Sequence, residues 1–508
     1  MPHEIDPAFM ALPMRSLADA ALQRATELGA EHADFRFERI RSQDLSFRDG
    51  RLEGSRDGED VGFAVRVLHQ GTWGFAAAVD LTPDVAVRTA EQAVDLAKVS
   101  RELSPSRVEL AAEPVHPDVT WVSAYDIDPF AVPDSEKIDR MVGQSMRVLA
   151  QASVDHVTAT LQQVQENTFY ADNHGTVTTQ QRVRIHPEFE ALKVDADSGR
   201  FETMRTLAAP AGRGWEYATG ADGVVDWGAA LDELGPLLAE KFAAPSIHPD
   251  SYDLVIDPTN LWLTIHESVG HATELDRALG YEANYAGTSF ATLDQLWTLR
   301  YGSPIMHVTG DRTTPHGLST IGYDDEGVQT QSWDIISGGT LVGYQLDRAM
   351  AAANASALGT TRSNGCAFAD SPGHVPVQRM ANVSLQPTDG GPSTDELISQ
   401  VEDGIYVVGD KSWSIDMQRY NFQFTGQRFY RIRGGEIDGQ VRDVAYQATT
   451  TDFWGSMAAV GGPQTYRLGG AFNCGKAQPG QIAPVSHGCP SALFRDIRVL
   501  NTAAEGGQ

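Results

Sequence analysis

The motif HESVGH, residues 266–271, constrains this chain more than any other stretch, because it sets two histidines at an unusual spacing. His266 and His271 stand five positions apart, and a regular α-helix turns each residue by about 100°. A five-residue step leaves the two side chains roughly 140° apart, whereas the four-residue step of the H-E-x-x-H pattern leaves about 40°. A regular helix therefore cannot aim both imidazoles at one ion.

The surrounding residues predict that both histidines lie on one helix. Asp257 can cap its N-terminus, Pro258 suits its first position, and Gly280 is a suitable terminator. A π-bulge, which inserts one residue into a single turn, would bring the histidines back to one side, and such bulges occur at functional sites. We expect the helix to bulge or break at Gly270, directly before His271.

If the histidines meet, the motif predicts a hydrolytic metal centre. Glu267 would lie beside the first ligand, where a carboxylate can take a proton from a water molecule at the metal. Zinc suits this chemistry because it lowers the pKa of a bound water to about 7 and polarises a carbonyl group. Such a site needs a third protein ligand and an open coordination position.

The residues leave the third ligand open among six side chains: Glu274, Asp276, Cys366, Cys474, His487 and Cys489. Glu274, three residues after His271, is expected to orient a histidine or to form a solvated salt bridge rather than to bind the metal. His487 and Cys489, two residues apart within SHGCP, could bind a metal themselves, but a single dyad is a weak signal and ordinary loop packing is favoured. Cys366 is expected to be a small buried residue.

Cys474 is the strongest of these candidates on chemical grounds. It lies in the sequence NCGK, where we expect Gly475 and Lys476 to keep a thiolate accessible and favoured. A soft thiolate with two imidazoles is a good ligand set for zinc.

Charge and cysteine content exclude several classes of function. The chain has 39 basic and 68 acidic residues, a net charge of −29, which repels nucleic acid and anionic lipid surfaces. Its three cysteines are too few for a disulfide framework and favour a reducing compartment. Neither a secretory leader nor a membrane-spanning apolar run is predicted, so we expect a cytoplasmic protein with no nucleic-acid or membrane partner.

Hydrophobic periodicity predicts an α+β chain with an N-terminal mixed α/β domain over residues 1–245 and a C-terminal β-rich domain over residues 246–508. In the first, helical patterns such as SLADAALQRATELGA alternate with antiparallel strand patterns such as VGFAVRVLHQGTWGFAAAVD. Pro and Ser in PSIHPDSYDLVIDP mark the boundary. Segments such as GIYVVGDKSWSID predict a curved sheet or barrel-like body around the histidine helix.

Taken together, these pieces resemble the TldD/PmbA family of metallopeptidases, and its TldD-like subunit in particular. The resemblance rests on HESVGHATELD, PVQRMANV, VEDGIYV, FTGQRFYRIRGGEI and the C-terminal NCGK with PVSHGCPSALFRDIRV behind it. In order and spacing these motifs cover essentially the whole second half. The sequence departs from the family pattern at VSHGCPS, where His487 and Cys489 stand in a stretch expected to be rich in glycine and glutamine.

The resemblance implies roles for four residues and a cofactor. His266 and His271 match the family's two histidine ligands, and Cys474 matches its thiolate ligand. Glu267 matches the catalytic glutamate, and the implied metal is Zn²⁺. The resemblance also implies a dimer, formed with a second copy or with a PmbA-like (TldE) subunit that lacks the metal motif, and a substrate drawn from unfolded or short peptides, leader peptides among them.

The sequence therefore predicts a zinc-dependent peptidase acting on extended or unfolded peptides. There are two alternatives. A metal-dependent amidohydrolase acting on small amides would use the same ligands, whereas a non-catalytic peptide-binding partner subunit would have no need of Glu267, so the presence of all four residues argues against it. We expect the peptide to add as a strand to a sheet edge, because backbone hydrogen bonds then give affinity with little sequence demand. PVQRMANV is the candidate edge, and Arg379 there is either an ordinary solvated edge charge or a partner of a substrate carbonyl or carboxylate.

Overall fold

The computed structural model describes residues 4–505. Over these residues the chain forms the predicted mixture of helices and strands. Up to residue 243 the elements are α1 (Pro7–Met10), α2 (Met14–Glu27), β1 (His32–Arg48), β2 (Arg51–His69), β3 (Thr72–Ala78), α3 (Pro83–Leu103), β4 (Pro117–Val122), α4 (Asp134–Leu149), β5 (His156–Asp172), β6 (Val177–Val194), β7 (Phe201–Arg205), α5 (Trp215–Thr219), α6 (Trp227–Asp232) and α7 (Leu234–Ala243).

From residue 250 onward strands predominate, as expected. The elements are β8 (Asp250–Ile256), α8 (Pro258–Ile265), α9 (Leu275–Ala278), β9 (Val308–Asp311), β10 (Ser332–Ser337), β11 (Thr340–Leu341), α10 (Arg348–Ala353), α11 (Ala355–Leu358), β12 (Ala367–Phe368), β13 (Val377–Gln378), β14 (Asn382–Leu385), α12 (Thr394–Ile398), β15 (Asp403–Ile415), β16 (Asn421–Arg433), β17 (Glu436–Val441), β18 (Val444–Thr449), α13 (Thr450–Gly455), β19 (Met457–Val460), β20 (Arg467–Lys476), β21 (Gln481–Cys489), β22 (Ala492–Asn501) and α14 (Thr502–Glu505).

The first sheet consists mainly of long antiparallel strand pairs. Its seven strands run in the order β3, β2, β1, β5, β6, β4, with β7 also on β6, and only the pair β4–β6 is parallel. An Asp-Gly pair forms the tight turn between β1 and β2, where Asp49 and Gly50 both have positive φ, at 49° and 72°. Phe35 and Phe63 stack on one face at 5.3 Å between ring centroids, in the core that α2 and α3 cover.

The second sheet closes into a small barrel. Its strands run β15, β8, β22, β18, β16, β17, with β19 on β22, and an additional pairing of β15 with β16 closes a ring of five strands. The helix α8 packs against this ring, where the Tyr446 hydroxyl on β18 lies 2.7 Å from Thr264 Oγ1 and donates to Asn260 Oδ1 at 2.9 Å. The predicted α+β class and barrel-like second half are confirmed.

The helical pattern of DWGAALDELGPLLAEKFAA forms two helices, α6 and α7, which are divided at Glu233. The strand pattern of GTLVGYQL forms a strand only at β11. The division into domains at residue 246 stays a prediction, although each sheet takes its strands from one side of that residue. Within residues 4–505 no helix is both long and apolar enough to cross a membrane.

Buried ion pairs join the two halves of the chain. Arg36 on β1 donates to Asp325 at 3.1 Å, and Arg66 on β2 donates to Glu326 at 3.0 Å. All four side chains are buried. Because removing one partner of a buried pair typically costs about 3–5 kcal/mol, these contacts fix the first sheet against the body that carries the histidine motif.

Candidate metal centre

The helix that carries the motif begins and bulges where the sequence predicts. The Asp257 side chain accepts from the Thr259 backbone N–H at 3.0 Å, and Pro258 is the first helical residue. From His266 to Gly270 the backbone adopts π-helical hydrogen bonding. The extra residue in this turn brings His266 and His271 together, with ring centroids 4.6 Å apart.

Gly270 is needed at the bulge for packing rather than for backbone freedom. Its φ of −54° is ordinary for a helix, but a Cβ there would lie 2.6 Å from the sulfur of the buried Met380. The predicted continuous helix to Gly280 is wrong in its second half. After a 3-10 turn at His271–Thr273 the chain becomes extended at Glu274, and the short α9 follows.

Cys474 meets the two histidines from the hairpin of β20 and β21. A register shift between Ala471 and Cys474 interrupts the pairing of the two strands there. The Cys474 Sγ lies 3.6 Å from His271 Nε2. The ligand atoms of His266, His271 and Cys474 all lie within 4.8 Å of one another, and this is the only such group of three found among the histidines, cysteines and acidic residues of the described chain.

The separation of these atoms fits a tetrahedral zinc ion. Zn–S and Zn–N bonds of about 2.3 and 2.0 Å at a tetrahedral angle place sulfur and nitrogen about 3.5 Å apart, close to the 3.6 Å between Cys474 and His271. Two imidazoles and one thiol are also the donor types that favour zinc. The residues present therefore fit the metal that the sequence predicts.

Glu274 orients a ligand instead of serving as one. Its carboxylate accepts from His271 Nδ1 at 2.9 Å, which leaves Nε2 facing Cys474. Arg277 Nε and Lys476 Nζ each donate to the same carboxylate at 3.1 Å. Although burial opposes ionisation, these two cations and His271 hold the pKa of Glu274 well below its usual range.

The predicted role of Lys476 beside the thiol is wrong. Its ammonium group donates to Glu274, Asp276 and the Gln378 carbonyl oxygen, and the thiol is not among its partners in the described chain. Cys474 is only 6% exposed, and burial raises its pKa to about 11. The sequence NCGK therefore does not present an exposed thiolate, because the lysine is used to hold Glu274.

We expect Glu274→Gln to weaken zinc binding about 10- to 100-fold, the usual effect of removing an outer partner of a metal ligand. The amide cannot hold His271, Arg277 and Lys476 as a carboxylate does. Asp276→Asn is the matched control, because Asp276 also pairs with Lys476, at 2.8 Å, but its recorded partners do not include His271. Chelator competition on both variants checks this; equal affinities would mean that Glu274 does not orient the ligand.

Glu267 lies beside the cluster and is held by an arginine that the sequence did not indicate. The Glu267 carboxylate is buried, and its Oε2 accepts from Arg419 Nη1 at 2.6 Å. Burial raises the pKa of Glu267, while the charge of Arg419 acts against that rise. Arg419 belongs to the turn between β15 and β16 and has a φ of 64°, an uncommon conformation for a side chain of this size.

His487 is the second residue whose place the sequence missed. Its Nε2 lies 2.8 Å from His266 Nδ1, and its Nδ1 lies 2.8 Å from the Val383 carbonyl oxygen. Burial lowers the pKa of His487 to about 4. The alternative of a metal dyad with Cys489, which the sequence disfavours, is not found, because the Cys489 thiol faces the Pro258 carbonyl oxygen at 3.6 Å. Cys366 is buried, as expected.

Arg379 is not a substrate-binding group on an exposed edge, as the sequence suggested. Its side chain is only 1% exposed, and it donates to the Cys474 and Gln481 carbonyl oxygens. These carbonyls lie on the two strands of the hairpin that carries Cys474. Arg379 therefore stabilises the hairpin of β20 and β21, which carries Cys474.

The metal centre opens into a cleft of about 540 Å³ between the two halves of the chain. His266 and Cys474 lie in its wall, together with the aromatic rings of Trp262, Trp413 and Phe472. The cleft is also lined by β20 residues 467–474 and by residues 205–210, which begin at the last residue of β7. In the described chain β20 pairs only with β21, so its outer backbone edge is available along this cleft.

Comparison with known sequences finds related metalloproteases over most of the chain. The models for the PmbA/TldA metallopeptidase C-terminal domain and for PmbA/TldA metallopeptidase domain 1 match residues 249–501 and 33–97. A metalloprotease of Methanothermobacter thermautotrophicus is 27% identical over 93% of this chain and 96% of its own length. A zinc metalloprotease TldD homolog of Saccharolobus solfataricus is 23% identical over 94% of this chain and 98% of its own length.

Solved structures share the fold. TldE from Thermococcus kodakarensis superimposes with a TM-score of 0.69 at 14% identity, over 95% of this chain and 99% of that one. A putative modulator of a DNA gyrase from Thermotoga maritima gives a TM-score of 0.72 at 15% identity, over 96% of this chain and 100% of that one. At these identities the likeness establishes the architecture alone.

Proposed function

The chain belongs to the PmbA/TldD family of metallopeptidases, and on that premise we propose that it is a zinc-dependent peptidase acting on short or unfolded peptides. The observation that carries the proposal is the cluster of His266, His271 and Cys474 with Glu267 beside it. Three ligands leave one coordination position open, as hydrolytic zinc sites do. The cluster lies in the wall of a cleft that can admit an extended chain.

His266, His271 and Cys474 would hold the metal. When bound, zinc supplies positive charge that polarises the scissile carbonyl and makes a water molecule more acidic. Glu274 and His487 hold the outer nitrogens of the two histidines, so neither ring needs to reorient when the ion enters.

Glu267 is assigned the proton transfers. Its carboxylate takes a proton from the attacking water and then returns that proton to the nitrogen of the leaving amine. Arg419 binds Oε2, so the second oxygen is the one that we assign to the water. Water and peptide are then converted to a carboxylic acid and an amine, with Glu267 returned to its starting state.

The peptide is proposed to lie along the outer edge of β20. An extended chain there would exchange backbone hydrogen bonds with the strand, which gives affinity without demanding a particular sequence. Aromatic side chains such as Trp413 and Phe472 would contact substrate side chains. This edge replaces the PVQRMANV edge expected from the sequence, because Arg379 in that segment is buried.

We also propose that a second subunit, either another copy or a TldE-like protein, covers the rim of the cleft. Tyr281, Tyr285, Trp413 and Met417 are large apolar side chains that are 51–70% exposed. Their two loops are adjacent, because the Thr288 N–H donates to the Met417 carbonyl oxygen at 2.8 Å. Exposed apolar groups in such numbers favour a protein interface.

The test combines metal analysis with peptide cleavage. We expect about one zinc per chain in protein purified without chelators or a histidine tag, cleavage of unstructured peptides, loss of cleavage on chelation, and its return with zinc. Mass spectrometry of products and metal checks each step. Zinc without cleavage, with or without a TldE-like partner, would favour the binding-subunit alternative, and turnover of small amides alone would favour an amidohydrolase.

A further inference from the structure

His487 is a fully buried histidine that the proposed proton transfers do not use. It is on β21, 221 residues from His266 in sequence, and its Nε2 lies 2.8 Å from the His266 Nδ1. On the other side of its ring, Nδ1 lies 2.8 Å from the Val383 carbonyl oxygen. Its imidazole is therefore bonded at both nitrogens.

These two contacts determine which ring nitrogen of His487 carries a hydrogen. A carbonyl oxygen can only accept, so the Nδ1 of His487 must carry a hydrogen and donate to Val383. Among residues 4–505 no carboxylate is recorded in a hydrogen bond or ion pair with His487, and a buried imidazolium without an anion is costly. The ring is then neutral, and its Nε2 holds a lone pair.

That lone pair sets the state of His266. Because His487 Nε2 accepts, His266 Nδ1 must be the donor and must carry the hydrogen of that ring. The Nε2 of His266 is then unprotonated, which is the form that binds a metal. A carboxylate does the same for His271, since Glu274 accepts from its Nδ1 at 2.9 Å.

The ring of His487 is fixed in this orientation by its neighbours. It lies parallel to the Trp262 indole, with 9° between the planes and 6.3 Å between centroids. The next residue, Gly488, donates its backbone N–H to Ser384 Oγ at 2.8 Å and so ties β21 to β14. A rotation that exchanged the two nitrogens would break both hydrogen bonds of the ring.

We propose that His487 is a positioning residue that fixes the tautomer and orientation of His266 and thereby sets the zinc affinity of the site. The pair His266–His487 adds no charge near the metal, whereas Glu274 adds a negative charge beside His271. The inference rests on the proposed metal centre and does not depend on which bonds the protein hydrolyses.

The test compares three substitutions of one residue. In His487→Gln the side-chain oxygen can still accept from His266, whereas the shorter amide of His487→Asn can reach Val383 but not His266. His487→Phe keeps a ring against Trp262 without any nitrogen. We expect zinc affinity close to wild type for Gln and about 10- to 100-fold weaker for Asn and Phe, measured by competition with a chromophoric chelator.

Each outcome decides a different point. Equal affinity of the Asn and Gln variants, or of the Phe variant and wild type, would overturn the role of His487 while leaving the metal centre intact. A wild-type protein that takes up no zinc would overturn both. His186→Phe is the control for placing a phenylalanine at a half-buried histidine, because His186 contacts Phe472 in the cleft wall rather than a ligand. Melting of the metal-free proteins shows which variants fold.

Discussion

Glu267→Gln is expected to keep its zinc and to lower the rate of peptide hydrolysis about 100- to 10,000-fold, the usual contribution of a general base. The change removes the ability to take a proton from water while leaving the three ligands in place. Glutamine has nearly the same shape, and its side-chain oxygen can still accept from Arg419 Nη1. Metal analysis and initial rates on one unstructured peptide measure the two effects.

A control is needed because this substitution also removes one charge from a buried ion pair. Glu166→Gln serves, since Glu166 is buried and accepts from Arg182 and Arg184 within the first sheet. It should lower the free energy of unfolding but leave zinc content and hydrolysis near wild type. If the Glu267 variant hydrolysed peptides at the wild-type rate, the assignment of the proton transfers to this carboxylate would be wrong.

In the proposed hydrolysis, Glu267 contacts water through one carboxylate oxygen while Arg419 remains bound to the other. Arg419 Nη2 also donates to the Ala286 carbonyl at 3.2 Å, and Arg277 donates to the same oxygen. A continuous set of contacts therefore runs from Glu267 through Arg419, Ala286 and Arg277 to Glu274, and so to His271. The general base and one ligand are positioned by the same network.

The features that could be predicted from the sequence depend on residues that are close together in the chain. Asp257 and Pro258 specify the helix start through contacts within two residues. The bulge between His266 and Gly270 follows from the number of residues between two histidines that must face one ion. Strand alternation likewise predicts the ribbons of the first sheet and the β-rich second half, since each pattern reports which face of a strand is buried.

What the sequence could not predict depends on contacts between distant segments. Arg419 and His487 reach the site across 152 and 221 residues, and no local pattern predicts the contact of Arg419 with Glu267 or of His487 with His266. The motif NCGK predicts a lysine that favours a thiolate, but Lys476 is bound by Glu274 and Asp276, which lie 202 and 200 residues away in the chain. Arg379 looked like an exposed edge charge because nothing in its neighbourhood reveals that the hairpin of β20 and β21 covers it.

Cys474→Ser is the second change with a large expected effect. We expect zinc to fall from about one per chain to a small fraction of that value, and hydrolysis to fall with it. A serine hydroxyl is a far poorer zinc ligand than a thiolate, and the two histidines alone do not make a closed set. The loss should exceed the 10- to 100-fold weakening, typical of outer-partner changes, that we expect for Glu274→Gln.

Cys489→Ser is the matched control for this experiment. Both thiols are buried on the same hairpin, but the Cys489 thiol faces the Pro258 carbonyl, to which a serine hydroxyl can also donate. The control should keep its zinc, so that any difference between the variants reflects position and not the general cost of burying serine. Full zinc content in Cys474→Ser would mean that the ion is held by another group, and the cluster of two histidines and one cysteine would no longer explain the chemistry.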